Sequence, residues 1–251
     1  MRLALSTWQE IETYLSRSKA IVIPIGSFEQ HGPNGLIGTD ALCPEIIAGE
    51  AAADSDDILI GPTFNVGCAQ HHMAFPGSMT LRPSTMIAAL ADWVASLRRH
   101  GFERIYFFNG HGGNIATINA AFSEIYAEES LKEPHNDGGR FALCLRNWWE
   151  LEGVRAFCAE LYPAGHGSHA TPSEVAVTYY AYPEAVKDAA MSPPIAPNGP
   201  IRGAEDYRRR FPDGRIGSNP ALATPEDGAK IVARAAEAFR ADFNRFAKAD
   251  D

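Results

Sequence analysis

The sequence has no excess of positive charge. Its 22 lysines and arginines stand against 31 aspartates and glutamates, which gives a formal net charge of −9, and the isoelectric point is near 5.4. A chain of this composition has no overall basic field that would attract nucleic acid or an anionic membrane surface. We therefore expect neither nucleic acid nor a membrane among its partners.

Long apolar runs and closely spaced cysteines are also missing. The N-terminal stretch lacks the apolar region followed by small residues that a signal peptide needs, and no run approaches the roughly 20 residues of a membrane span. Four cysteines lie far apart without a C-x-x-C pair: Cys43, Cys68, Cys144 and Cys158. We expect a cytoplasmic protein whose cysteines are reduced thiols, mostly buried.

Short apolar runs alternate with helical patterns along the chain. Strands are predicted at Ala20 to Ile25, Arg104 to Phe108 and Arg140 to Leu145, and helices at 41–53, 84–100, 115–129, 172–182 and 225–246. This alternation predicts an α/β fold, one domain over residues 1–251, with a mostly parallel sheet covered by helices on both faces. Residues 191–220 are rich in proline, glycine and arginine and are predicted to be irregular.

The first polar cluster directly follows the first predicted strand. Glu29 and His31 are two residues apart, so in an extended backbone their side chains project to the same side. Asp40 follows nine residues after His31 at the entrance to a predicted helix, where its carboxylate could bridge two ions. Taken alone, Asp40 is better interpreted as a helix N-cap.

A second cluster, Asn109 to Asn114, follows a very apolar strand and contains His111. If the two strands are neighbours, His111 lies beside the first cluster, because ligand sites in such folds form at the carboxyl ends of strands. The glycines around it let the backbone approach a ligand closely. The alternative is a phosphate-binding turn, although the spacing matches neither common glycine-rich phosphate loop.

The third cluster contains His169 and Glu174, which could complete a two-metal site. Thr171-Pro172-Ser173-Glu174 is also a good capping box with proline at the first helical position, and the spacing alone favours a cap. Elsewhere, His71 and His72 are adjacent, which argues against both binding one ion. His72 is predicted to line the substrate pocket, and Trp149 could supply a flat wall for a planar substrate.

Together these clusters resemble the creatininase (creatinine amidohydrolase) family. The resemblance rests on five ordered motifs: Glu29-Gln30-His31-Gly32-Pro33, Gly38-Thr39-Asp40, Phe75-Pro76-Gly77, Asn109-Gly110-His111-Gly112-Gly113-Asn114, and His169-Ala170 with Glu174. The chain departs from creatininases proper, which carry a tyrosine and a glutamate directly after the histidine, where this chain has Gly112 and Gly113. It is closer to the wider group that includes formylamide deformylases and a peptide-trimming branch.

The resemblance implies two divalent metal ions, Zn with Mn or Fe, and a homo-oligomer, commonly a hexamer. Carried over to this sequence, Glu29 and His111 would hold one ion, His31 and Glu174 the other, and Asp40 would bridge them. His169 could act as general acid or could instead orient Glu174. We expect His72, Gly112 and Trp149 to contact a small-molecule amide substrate.

The predicted function is hydrolysis of a non-peptide or cyclic amide carbon–nitrogen bond by a metal-activated hydroxide. The alternatives are a formylamide deformylase and a non-catalytic protein that binds metal or a small molecule.

Overall fold

A parallel sheet of three strands lies at the centre of the computed structural model, which describes residues 1–131 and 140–249. The strands are β1 (Ala20–Ile25), β2 (Arg104–Asn109) and β3 (Ala142–Asn147), in the order β1-β2-β3. All six residues of β1 and of β2 are buried, as expected for parallel strands covered on both faces. The predicted strands are confirmed to within two residues at each end.

Eight α-helices occur in the described part of the chain. They are α1 (Trp8–Leu15), α2 (Thr39–Ala51), α3 (Pro83–Arg99), α4 (Ile115–Leu131), α5 (Val154–Leu161), α6 (Pro172–Ala181), α7 (Ala204–Arg210) and α8 (Pro225–Lys248). The five predicted helices correspond to α2, α3, α4, α6 and α8. The described residues contain no helix with both the length and the apolar character needed to cross a membrane.

The sheet separates two hydrophobic cores because successive side chains of a strand point to opposite faces. Ile21, Ile23 and Phe107 pack with α1, α3 and α4 on one face. Val22 and Phe108 pack with α2, α5, α6 and α8 on the other. The predicted α/β fold with helices on both faces is therefore confirmed. The four cysteines are free and buried, as expected.

The prediction that residues 191–220 are irregular throughout is wrong, because the segment contains α7. This short helix is anchored by Tyr207, which is fully buried and packs edge-on against Phe75 and Phe211. With seven residues, α7 is too short to show a clear helical period. Helices α1 and α5 were also not predicted, although Thr7 and Glu10 form a complete capping box at the start of α1.

Candidate metal centre

Two loops meet at the carboxyl ends of β1 and β2. Ile25 pairs with Asn109 at the ends of the two strands, and the Gly110 amide donates a hydrogen bond to the Ile25 carbonyl at 2.8 Å. The polar loops that follow, 26–33 and 109–114, therefore start side by side. This is the neighbourhood that the sequence predicted for the first two clusters.

Asp40 is held against both loops by two glycines. A Cβ atom at Gly110 would lie 1.9 Å from the Asp40 carbonyl oxygen, and one at Gly26 would lie 2.3 Å from the Asp40 carbonyl carbon. Only glycine permits so close an approach of backbones. The N-cap of α2 is Gly38, and Asp40 lies in the first turn. The interpretation of Asp40 as an N-cap is therefore wrong, and its carboxylate is directed to other partners.

The Asp40 carboxylate lies between two imidazoles. Its Oδ1 is 3.0 Å from Nε2 of His31, and its Oδ2 is 2.9 Å from Nδ1 of His111. Glu29 Oε2 lies 3.3 Å from Nε2 of His111, and Glu174 Oε1 lies 4.0 Å from Nε2 of His31. The structure thus brings all five predicted metal ligands into one cluster.

The carboxylates of this cluster have fewer partners than buried charges require. Glu29 Oε1, Glu29 Oε2 and Asp40 Oδ2 are buried, and their near neighbours are imidazole nitrogens that form no hydrogen bond of good geometry with them. Burying unpaired carboxylates is costly unless cations compensate their charge. Ligand atoms of Glu29, His31 and Asp40 all lie within 4.8 Å of one another. Carboxylate oxygens with imidazole nitrogens suit zinc, manganese or iron, so the residues fit divalent metal.

The mutual electrostatics of the cluster shift the pKa of each group. Burial lowers the pKa of both imidazoles, but neighbouring carboxylates outweigh this effect. Asp40 raises the pKa of His31 to about 10. Glu29 and Asp40 together raise the pKa of His111 to about 9. Burial would raise the pKa of Asp40, but the two imidazoles hold it well below its usual range. In the absence of metal, protonated imidazoles therefore compensate the buried carboxylates.

Glu174 combines the two roles that its sequence context suggested. Its Oε1 accepts a hydrogen bond from the Thr171 amide at 2.6 Å, and the Thr171 hydroxyl accepts one from the Glu174 amide at 3.3 Å. This is the predicted capping box of α6. The same carboxylate is directed toward His31, and burial raises its pKa to about 7 against the opposing effect of His31. A helix cap therefore delivers a carboxylate to the cluster.

His72 and His169 form a second group of potential ligands that shares Glu29. Glu29 Oε1 lies 3.0 Å from Nε2 of His72 and 3.7 Å from Nδ1 of His169. Burial, and next the charge of His31, lowers the pKa of His72 to about 3 and that of His169 well below its ordinary value. Both rings are neutral near pH 7. The ring nitrogens of His169 contact Glu29 and Gln30, whereas the Glu174 carboxylate contacts Thr171 and His31.

Gln30 connects this histidine pair to the segment that contains α7. Its Oε1 accepts a hydrogen bond from the Gly32 amide at 2.8 Å, and its Nε2 donates to the Gly214 carbonyl at 2.9 Å. These two partners fix the orientation of the amide. The Gln30 Nε2 also lies 3.1 Å from Nδ1 of His72 and 3.3 Å from the Tyr207 hydroxyl. Tyr207 was not predicted to lie near the site, because its segment was expected to be irregular.

Asparagines hold the loop that carries His111. Asn109 donates to the His111 carbonyl at 2.7 Å and accepts from the His111 amide at 3.1 Å. It also donates to Asn147 at 2.8 Å. Asn114 donates to the Gly26 carbonyl and accepts from the Cys68 amide, each at 2.9 Å. These contacts use the amide side chains to position backbone, and the His111 ring enters the acidic cluster. The arrangement favours a metal-binding loop over a phosphate-binding turn.

The cluster opens into two cavities. The larger, of about 430 Å³, is lined by Asp40, His111, His169 and Glu174 of the cluster and also by Trp148, Trp149 and Arg155. The smaller, of about 250 Å³, is lined by Glu29, His71 and His72. Gly112 lines both. Of the residues predicted to contact substrate, Trp149 and Gly112 face the larger cavity and His72 faces the smaller one.

Comparison with known proteins identifies relatives with the same organisation. The sequence profile of the creatininase family, described as creatinine amidohydrolase, matches residues 4–242. Creatinine amidohydrolase of Pseudomonas putida is 26% identical over 166 residues, which are 63% of this chain and 62% of that protein. The mycofactocin precursor peptide peptidase of Mycobacterium ulcerans (strain Agy99) is 26% identical over 226 residues, 85% of this chain and 80% of that protein.

The fold agrees with these sequence relationships. A crystal structure of creatinine amidohydrolase superposes with a TM-score of 0.85 at 22% identity and covers 99% of this chain and 98% of that chain. The alignment with the P. putida protein spans less than two thirds of that protein's length. The profile, in contrast, covers nearly the whole of the present sequence. The chain belongs to the creatininase family.

Proposed function

We propose that this protein is a metal-dependent amidohydrolase that cleaves the carbon–nitrogen bond of a small non-peptide or cyclic amide. The observation that carries the proposal is the cluster of carboxylates and imidazoles, of which Asp40, His111 and Glu174 line a cavity of about 430 Å³. Cavities of about 300–1,000 Å³ are typical of sites for small molecules. Family membership supports the proposal, because the names of both relatives denote hydrolysis of a carbon–nitrogen bond.

Two divalent ions would be held by five side chains. Glu29 and His111 would hold one, His31 and Glu174 the other, and Asp40 would contribute one carboxylate oxygen to each, since Oδ1 faces His31 and Oδ2 faces His111. Creatininases have been solved in a manganese form and in a zinc–zinc form. Bound ions would supply a water of lowered pKa and positive charge for a carbonyl oxygen.

His169 would move a proton. Assigning its ring proton to Nε2, which lies 2.8 Å from the Gln30 carbonyl oxygen, leaves Nδ1 unprotonated at 3.7 Å from Glu29 Oε1. A neutral imidazole in this state can accept a proton at Nδ1 and pass it to a leaving nitrogen. The lowered pKa favours such a relay over a resident acid. Trp149 would lie along the substrate, and Gly112, with nothing within 4 Å of a Cβ placed there, leaves room for it.

A formylamide deformylase is the second candidate, and peptide hydrolysis is the third. The match to a peptide peptidase over 85% of this chain favours testing peptides directly. All three reactions use the same cluster, so a substrate panel separates them. Creatinine, N-formylated amines, five- and six-membered cyclic amides and short peptides would form this panel.

The test compares the parent with Asp40→Asn, and uses Asp57→Asn as a matched control because Asp57 is exposed and lies away from the cluster. After loading with Mn²⁺ or Zn²⁺, we expect about two ions per chain in the parent and control and a marked loss in Asp40→Asn. Turnover of the preferred amide should fall about a hundredfold or more in Asp40→Asn, since several kcal/mol of stabilisation depends on the ions. Bound metal without turnover on any member of the panel would instead support a non-catalytic metal-binding protein.

A further inference from the structure

The larger cavity has one strongly cationic residue on its wall. Among the described residues that line it, Arg155 is the only lysine or arginine. Trp149, Asp40 and Glu174 line the same cavity. A molecule whose amide reaches the acidic cluster would therefore face a guanidinium elsewhere in the same cavity.

Most of the hydrogen-bonding capacity of Arg155 is not used within the described part of the chain. Its one protein partner there is Glu150, with Nη2 3.2 Å from Oε1. The side chains of Arg155 and Glu150 are 71% and 49% exposed, and exposed pairs of this kind contribute only about 0–1 kcal/mol. A guanidinium has five N–H donors in a planar fork. The fork is therefore available to a ligand.

Helix stability does not account for the position of Arg155. It is the second residue of α5, which begins at Val154 after Gly153 in the left-handed conformation. A positive charge in the first turn opposes the helix dipole, which favours cations near the C-terminus. Helix α3 follows this preference, with Arg98 and Arg99 in its last turn. A ligand that carries negative charge would make the arginine in α5 favourable.

We propose that Arg155 binds a carboxylate of the substrate, so that the substrate is an amide that carries a carboxylate remote from the bond to be cleaved. This inference rests on the proposed function. A carboxylate matches the guanidinium fork because two parallel N–H···O bonds can form at once. Trp149, half-buried beside it, offers an apolar face to the chain that joins the two ends of the substrate. Because the net charge is −9, the overall field does not attract an anion, and a local cation favours its binding.

The first experiment measures binding rather than turnover. Alkyl hydroxamates, which coordinate divalent metal, are prepared in pairs that end in a carboxylate or in the neutral carboxamide, with a series of chain lengths. Binding to the manganese-loaded protein is measured by calorimetry for the parent, Arg155→Met, Arg155→Lys and the control Arg245→Met. Arg245 is similarly exposed and pairs with one carboxylate, that of Asp242.

At the chain length that binds most tightly, we expect the parent and Arg245→Met to bind the carboxylate about tenfold more tightly than the matching carboxamide. This ratio corresponds to the lower end of the contribution of a hydrogen bond to a charged group. Arg155→Met should reduce this ratio to within about twofold of one while leaving carboxamide binding unchanged, and Arg155→Lys should restore part of it. An equal ratio in the parent and Arg155→Met would overturn the inference.

A second readout separates this inference from the proposed function. N-formyl ω-amino acids and their carboxamides are offered as substrates to the same variants. Hydrolysis without a preference for the carboxylate would reject the role of Arg155 and leave the amidohydrolase intact. A carboxylate preference in hydroxamate binding that depends on Arg155, combined with no hydrolysis of any amide, would support the anion site and reject the proposed reaction.

Discussion

Binding of divalent metal to the metal-free protein should release protons, mainly from His31 and His111. The Asp40 carboxylate lies 3.0 Å from one ring and 2.9 Å from the other. Their pKa values, raised to about 10 and about 9, keep both imidazoles protonated at pH 7. A metal binds the neutral imidazole, so each ion must displace a proton. We expect about two protons per chain from the imidazoles at pH 7, and about half a proton more from Glu174, whose pKa is raised to about 7.

The free-energy cost of removing each proton follows from the difference between the pKa of the imidazole and the pH. Each unit of difference costs about 1.4 kcal/mol, so removal of the two protons at pH 7 opposes metal binding by about 3 kcal/mol at His111 and about 4 kcal/mol at His31. The apparent affinity should rise about tenfold per pH unit from about pH 7 until the pKa of the histidine concerned, which is about 9 for the ion at His111 and about 10 for the ion at His31, and then level off. Titration calorimetry in buffers of different ionisation enthalpy counts the protons directly.

The same groups make the stability of the metal-free protein depend on pH. Both histidines have a folded pKa above the unfolded value of about 6.5, so their contribution is full below about pH 6.5 and is lost as pH rises through about 9 to 10. The melting temperature in chelator should fall over this window, and the metal-loaded protein should not follow it.

His71→Gln, outside the proposed ligand set, should release as many protons as the parent. A binding enthalpy independent of buffer at pH 7 would refute the reasoning.

Two further comparisons test how the cluster is held. Glu174→Gln should lose about one ion per chain, whereas Thr171→Ala, which removes only the cap, should keep both ions and lose about 1 kcal/mol of stability, seen as about 2–4 °C in the melting temperature. Equal metal loss in both would show that the cap alone matters. Gly110→Ala should lose metal because its Cβ would lie 1.9 Å from the Asp40 carbonyl oxygen, whereas Gly112→Ala should fold and keep metal. Elemental analysis with circular dichroism decides both comparisons, and full metal content in Gly110→Ala would contradict the second.

Local sequence patterns were sufficient to predict the sheet and the meeting of the first two clusters. Strands β1 and β2 are apolar, and their pairing places the residues that follow each strand at one edge. The double role of Glu174 was not predictable, because Thr-x-x-Glu has the same spacing whether or not the helix start faces a metal site. That outcome depends on how α6 packs near His31, which is a tertiary contact.

The segment 191–220 resisted prediction because its stabilising contacts are buried and polar. Arg215 is fully buried, and its guanidinium binds Asp213 and three backbone carbonyls, of Pro193, Pro194 and Ser218. A sequence rich in arginine and proline usually indicates an exposed loop. Here the buried guanidinium satisfies the carbonyls of a loop whose Ser218 hydroxyl donates to the His169 carbonyl at 2.6 Å. Composition does not reveal such an inward arginine.

The departure from creatininases directly after His111 is connected with the position of the His111 ring. A Cβ at Gly113 would lie 2.3 Å from Nε2 of His111, so the ring occupies the place where the glutamate of creatininases would begin. A carboxylate at 113 therefore cannot replace the one that α6 supplies. Adding Gly113→Glu to Glu174→Gln should fail to restore the second ion and should weaken the first, because His111 must move. Elemental analysis of the double variant beside Glu174→Gln checks this, and a return to about two ions per chain would show that the ring of His111 can yield its place to a side chain at 113.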